Sequence, residues 1–180
     1  PTVTEPAGAV VDAPPLTVDL VDVPALQFHA LLRGTVVAIG NTSMTCADTA
    51  RGCVEARDRQ GSSIDRLAYQ MVKVGATSTC VNASSADLVT KGRVVRAWLS
   101  WSGDLQQGGT APDPTAAGTV TFTTPTGTAA VVGMLTTLGD GRYAAVADVS
   151  SLVTTAGTYT VADVQTAEGV GSFAGWSLMV

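Results

Sequence analysis

From residue 16 onward, short runs of β-branched and apolar residues alternate with clusters of Gly, Pro, Asp, Asn and Ser. That rhythm predicts strands at 16–21, 26–32, 35–39, 67–74, 86–89, 94–101, 119–123, 129–135, 143–148, 158–164 and 173–180. No stretch holds a helical period long enough to demand a long helix. In Thr119-Val120-Thr121-Phe122-Thr123 the apolar residues occupy alternate positions, so Val120 and Phe122 are expected inside and the threonines toward water. Between Val94 and Trp101 one face carries Val95, Ala97, Leu99 and Trp101, and the other Val94, Arg96, Trp98 and Ser100. A strand apolar on both faces belongs at the centre of a sheet.

The punctuation is as readable as the strands. Leu138-Gly139-Asp140-Gly141-Arg142 joins two strand patterns, and Asp-Gly predicts a tight hairpin because both residues tolerate positive φ. Asp148 to Val153 reads as a single helical turn capped by Asp148 or Ser150 and broken at Ala156-Gly157. Residues 45–63 and 103–117 read as long loops, the usual seat of binding on a rigid scaffold. Residues 1–15, rich in Pro, Ala, Val and acidic residues, form an extended arm, and 16–180 a single domain free to continue past the last residue. The fold class expected is all-β: an antiparallel β-sandwich, jelly-roll-like or immunoglobulin-like, with long loops and that N-terminal arm.

The last run, Phe173 to Val180, ends in Leu178-Met179-Val180 with no turn or polar tail. A strand this apolar is a sticky edge if left bare. Its two sides are therefore expected to be covered, by the core and by a partner or adjoining segment, with Trp176, Leu178 and Met179 as an assembly strand.

Composition narrows the partners. The chain has 180 residues, 46% hydrophobic and 14% charged, a balance that favours a folded domain over disorder. Ten basic residues, of which only Lys73 and Lys91 are lysines, face 15 acidic ones, for a net charge of −5. Nucleic acid and anionic membrane surfaces call for a cationic patch, and the one arginine-rich run, 51–66, interleaves Glu55, Asp58 and Asp65. Hydrophobic runs are all interrupted by Asp, Pro or Gly, so membrane insertion is not expected. The start at Pro1, without methionine, fits a processed protein or an excised segment, a removed signal peptide being one ready explanation.

Cys46 and Cys53 enclose a short polar segment and are expected to form a disulfide, with Cys80 left over. Zinc is not expected, because no CxxC occurs and His29 is the sole histidine. His29 sits in a strand pattern, and no Gly-x-Ser-x-Gly elbow presents a nucleophile to it, so a hydrogen-bonded structural role outweighs a catalytic one. Asp104, Asp113, Asp140, Asp148 and Asp163 are scattered singly, without a calcium-loop spacing. No catalytic residue, metal or cofactor is assigned. Trp98, Trp101 and Trp176 are core candidates, and Trp98, sharing a face with Arg96 and Ser100, is the one best placed to contact a ligand. Arg96 and Asp104 are grouped with it as candidate contacts.

Four segments carry a resemblance: Arg33 to Asn41, the Cys46–Cys53 loop, Val94 to Trp101, and Tyr159 to Val164 leading to Ala174-Gly175-Trp176-Ser177-Leu178-Met179-Val180. Together they resemble the N-terminal region of large secreted, wall-associated proteins of high-GC Gram-positive bacteria, often followed by immunoglobulin-like repeats. The resemblance implies a secreted or cell-surface, non-enzymatic module with an adhesive or structural assembly role. Its partners would be other segments or subunits of a surface assembly, or a host or cell-wall glycan. The alternative is a carbohydrate-binding module using Trp98 and loop residues. Gram-positive surface proteins also carry Lys–Asn isopeptide or Cys–Gln thioester crosslinks, for which the ingredients here are Lys73, Lys91, Asn41, Asn82, Cys80, Gln70 and Gln165. The plainer reading makes Lys73 a surface charge and Cys80 a buried or free thiol.

Overall fold

A computed structural model describes residues 34–58, 60, 63–106 and 112–180. The arm at 1–15, the strand patterns at 16–21 and 26–32, and His29 lie outside the described residues. In chain order the elements are β1 (Ala38–Thr42), β2 (Met44–Cys46), α1 (Cys53–Arg57), β3 (Met71–Lys73), β4 (Ala83–Leu88), β5 (Trp98–Asp104) and a 3-10 turn (Pro114–Ala116). There follow β6 (Thr119–Thr124), β7 (Gly127–Val132), β8 (Met134–Gly139), β9 (Arg142–Asp148), β10 (Gly157–Ala162) and β11 (Ala174–Met179).

These strands build an all-β sandwich. One sheet has the order β1-β11-β5-β9-β8 and the other β4-β10-β6-β7, while β2 and β3 form a small sheet of their own. Every pairing is antiparallel. Alternation decides which side chains go inside. Leu99 and Trp101 of β5, Val120 and Phe122 of β6, Tyr143 and Ala145 of β9, Tyr159 and Val161 of β10, and Trp176 and Leu178 of β11 meet in one buried core. Phe122 and Tyr159 stack with ring centroids 5.7 Å apart. The indole of Trp176 crosses the sandwich and donates to Ser84 Oγ of β4 at 2.8 Å. That bond explains why β4 starts at Ala83, three residues before the apolar run at 86–89: an inward serine serves as an acceptor there.

Other boundaries move for equally local reasons. The run at 94–101 becomes β5 at 98–104, because Ala97 bonds through its N–H to Ser150 Oγ (3.0 Å) and through its C=O to Val149 N (2.9 Å), not to a ladder. As expected, β5 is central, flanked by β11 and β9. The run at 129–135 is not one strand but two, in different sheets. It breaks at Gly133, where a Cβ would lie 2.5 Å from Cη2 of buried Trp101, so only glycine lets the chain turn the corner against that ring. Of the run at 67–74 only 71–73 is strand; Leu67, Ala68 and Tyr69 wrap around Asp65, which accepts their backbone N–H groups.

The loop expected over 45–63 instead contains β2 and α1, which with β3 make a lobe closed by a Cys46–Cys53 disulfide. Gly52, with φ of 81°, opens α1 in a left-handed conformation that suits glycine. A five-residue helix offers only Cys53 and Ala56 as buried positions, too few to show a period. The hairpin at 138–142 is present: Asp140 (φ 50°) and Gly141 (φ 73°) form the two-residue turn between β8 and β9.

Candidate functional site

On β5 the inward Leu99 and Trp101 leave Trp98, Ser100 and Ser102 on the outer face of the five-stranded sheet. Register places Trp98 between Met179 of β11 and Asp148 of β9. Arg96 reaches Asp148 at 3.4 Å, so Trp98, Arg96, Asp148 and Met179 form one cluster at one end of that face. The ion pair is solvent-facing and adds little stability. Asp148 also accepts Ser150 N (2.9 Å) and Ser150 Oγ (2.5 Å). Those bonds from Ser150, hydroxyl first, hold its carboxyl below the usual range, with a smaller contribution from Arg96. They also cap the turn at 149–153, where Val153 N bonds Val149 O. One row along, Ser100 Oγ and Ser177 Oγ lie 2.7 Å apart. Trp98 is half-buried, and its Nε1–H is shielded from water without a hydrogen-bond partner among the described residues. Chemically the cluster offers an aromatic side chain, a guanidinium and a carboxylate side by side on the outer face of the sheet.

Asp104 is not part of that cluster. It ends β5, six residues beyond Trp98, a separation of about 20 Å along an extended strand. It is buried, accepts Gln106 N at 2.9 Å through its carboxylate, and bonds through its backbone to Phe173 and Ala167. Its surroundings are polar and internal. Tyr143 donates its hydroxyl to Gln165 O (2.9 Å), and burial pushes the phenol pKa well up. Gln165 Oε1 in turn accepts Asp113 N (3.2 Å). This end of the sandwich holds loops onto strands.

The cysteines divide as their spacing suggests. Cys46 and Cys53 are bonded and fully buried, and Cys80 is a free, half-buried thiol that donates to Asn82 O at 2.9 Å. Burial first, then Asp163, pushes that thiol's pKa up, away from the reactive thiolate. Among the crosslink ingredients, Asn82, Gln165 and Asn41 have other partners. Asn82 bonds both backbone groups of Val164 (2.6 and 3.0 Å), and Gln165 Nε2 donates to Asp163 O (3.3 Å). Asn41 Nδ2 donates to Ser85 O (2.8 Å), tying β1 to β4 and closing that side of the sandwich.

β11 lies between β1 and β5, so its backbone groups are used within the chain. Trp176 and Leu178 are core residues, and Met179 faces outward, half-exposed. Among the described residues β7 pairs with β6 alone and is one open edge; another is β8. It pairs with β9 alone among the described residues, and all six of its residues are exposed. Sequence reasoning merged 134 and 135 into the preceding strand and so missed it; the legible signal was a run from Val132 to Gly139 with no charged residue or proline.

The fold and these surfaces define an all-β sandwich carrying a disulfide-closed lobe, an outward cluster around Trp98 and, among the described residues, open edge strands at β7 and β8. No family model, curated protein or solved structure matches the chain. Among the described residues no helix is long and apolar enough to cross a membrane, and no group of three or more His, Cys, Asp or Glu is placed to hold a metal ion.

Proposed function

We propose that this chain is a non-enzymatic extracellular or cell-surface module with an adhesive or structural assembly role, in a secreted, wall-associated protein of the kind its sequence resembles. One observation carries the reading: the Cys46–Cys53 disulfide closes a lobe from inside, with both sulfurs fully buried. Structural disulfides of this sort persist in oxidising compartments and are rare in reducing cytosol. The assembly role draws support from β8, whose outer edge has no partner strand among the described residues and suits the addition of another strand. Surface labelling of intact source cells with an antibody to the chain, alongside non-reducing intact mass of the native protein, tests the reading. Labelling of intact cells and a mass two hydrogens below the reduced chain are expected; a protein confined to the reduced cytosol overturns it.

A carbohydrate-binding role is the second reading, favoured by the half-buried Trp98 on the outer sheet face with Arg96 and Asp148 beside it. Sugar rings stack on indoles and bond to charged groups at the rim. On a glycan array, wild-type binding that Trp98→Ala abolishes would support it, with circular dichroism checking the variant's fold. A blank array for both proteins removes it.

A further inference from the structure

We propose that the cationic connection from β4 to β5, with Lys91, Arg93 and Arg96, acts with Trp98 to bind an acidic polysaccharide, one whose sugar rings carry carboxylates. The proposal rests on the carbohydrate reading above and gives that site its ligand class.

The chain carries a net charge of −5, yet Lys91-Gly92-Arg93-Val94-Val95-Arg96 holds three of its ten basic residues and no acid. All three cations are exposed. Arg96 is paired with Asp148, while Lys91 and Arg93 enter no ion pair among the described residues. The elements packed around them oppose them little. β1, β11 and residues 149–162, which hold the β9–β10 crossover and β10, contain no charged side chain. The acids at this end of the flanking strands are Asp148 and Asp87, and Asp87 accepts Thr158 Oγ1 at 2.6 Å. A local excess of positive charge on an acidic molecule draws an anion to this place and repels it elsewhere.

Backbone geometry arranges these charges in a line. β4 ends at Leu88 in the four-stranded sheet and β5 begins at Trp98 in the five-stranded one, so residues 89–97 cross one end of the sandwich. Val94 packs against the core, and Ala97 is buried and bonded to Val149 and Ser150, which fixes the crossing in place. With Val94 turned inward, Arg93 and Val95 stand outward, and Arg96 shares a side with Trp98 two positions on. Lys91 and Trp98 are seven positions apart, at most about 25 Å along an extended chain, a reach that spans several sugars.

The mix of groups selects the ligand. An indole presents an apolar face on which a sugar ring stacks. A guanidinium takes a carboxylate through two parallel N–H donors, and an ammonium takes it as a point charge. A neutral glycan would use Trp98 and leave Lys91 and Arg93 idle. Duplex nucleic acid, with one charge per ~1.7 Å, calls for a longer cationic track than three side chains and is repelled by the rest of an acidic molecule. A polysaccharide whose carboxylates are spaced along uncharged rings matches three cations beside one aromatic side chain.

Isothermal titration calorimetry of the full chain with polygalacturonate and with hyaluronan tests this, and carboxyl-reduced polygalacturonate serves as the neutral counterpart. Binding of both acidic polymers is expected, weakening as salt is raised. The reduced polymer should bind at least about tenfold more weakly, because its charge-assisted hydrogen bonds are gone. The double variant Lys91→Gln/Arg93→Gln should lose about tenfold toward the acidic polymers and leave the weak binding of the neutral one unchanged, whereas Trp98→Ala should weaken all three. Arg142→Gln, at the opposite end of β9 and paired with Asp140, should change nothing. Thermal melts verify that each variant is folded. Equal binding of the acidic and reduced polymers, or acidic binding indifferent to the Lys91/Arg93 pair, overturns the proposal and leaves the carbohydrate reading standing. No binding of either acidic polymer also overturns it, and the carbohydrate reading then falls only if the glycan array is blank as well. A single-stranded DNA oligonucleotide bound as tightly as the acidic polymers and indifferent to Trp98→Ala overturns it by revealing a patch for any polyanion.

Discussion

Gly133→Ala adds a single methyl group where the chain passes from β7 into β8, and the structure sets its cost. The new carbon would stand 2.5 Å from Cη2 and 3.0 Å from Cζ2 of Trp101, and 3.1 Å from Val146 O. Carbon atoms in contact settle near 3.5–4.0 Å, so the overlap with the ring is about 1 Å. Trp101 cannot swing aside: it is buried, and its Nε1 is held by Ala117 O at 2.9 Å. Overpacking of this kind costs about 1–3 kcal/mol, and the reduced freedom of the unfolded chain returns roughly 0.4–1 kcal/mol. A net loss of about 1–2 kcal/mol is expected, with a fall in Tm of roughly 2–4 °C per kcal/mol for a chain of this size. Urea and thermal unfolding followed by tryptophan fluorescence and circular dichroism measure it. Gly118→Ala is the control, since its methyl would have no neighbour closer than 3.8 Å. Trp101→Phe shortens the ring, so the double variant Trp101→Phe/Gly133→Ala should be at least about 1 kcal/mol more stable than the two single losses add up to. Wild-type stability in Gly133→Ala, or strict additivity in the double variant, would refute the steric argument.

Replacing Cys46 and Cys53 with serine opens a loop whose ends are 7 residues apart, for a loss of roughly 2 kcal/mol that should appear first as proteolysis within the β2–α1 lobe. Tyr143→Phe leaves the buried Gln165 carbonyl without its donor and should cost about 1–3 kcal/mol in urea unfolding. Because the folded phenol pKa lies above its ordinary 10.0, the wild type is fully stabilised by this group below pH 10 and loses that contribution as pH rises further. The Tyr143→Phe variant should lose less over that alkaline range. Asp148 runs the other way: its lowered pKa contributes stability above the ordinary 3.8 that disappears as pH falls through the folded value, and Ser150→Ala should flatten that acid limb. Leu178→Ala empties a fully buried position and should cost about 2–5 kcal/mol, whereas outward Met179→Ala should stay within about 0.5 kcal/mol of wild type; equal effects would mean β11 does not pack as described.

What the sequence determined by itself was local. Alternation in Thr119 to Thr123 assigned Val120 and Phe122 to the core, the Asp140-Gly141 pair set a hairpin through its tolerance of positive φ, and the short Cys46–Cys53 spacing set a disulfide. Two apolar faces marked the Trp98–Trp101 strand as central, and its other face carries Trp98 outward beside Arg96 and Asp148. These features depend on neighbours along the chain, which is why they were legible. Tertiary structure alone decided that 129–135 breaks at Gly133, because the obstacle is the ring of Trp101, more than thirty positions away. It alone moved Asp104 to the far, buried end of β5, and turned two inconspicuous serines, Ser84 and Ser150, into partners for the Trp176 indole and the Ala97 backbone. Most of all it decided which apolar strand is enclosed and which stands at a sheet edge among the described residues. Leu178 and Leu138 look alike in sequence, but β11 is flanked by β1 and β5 while β8 lies at the rim. Periodicity sets the face on which a side chain stands; only long-range pairing sets whether a strand has a neighbour on each side.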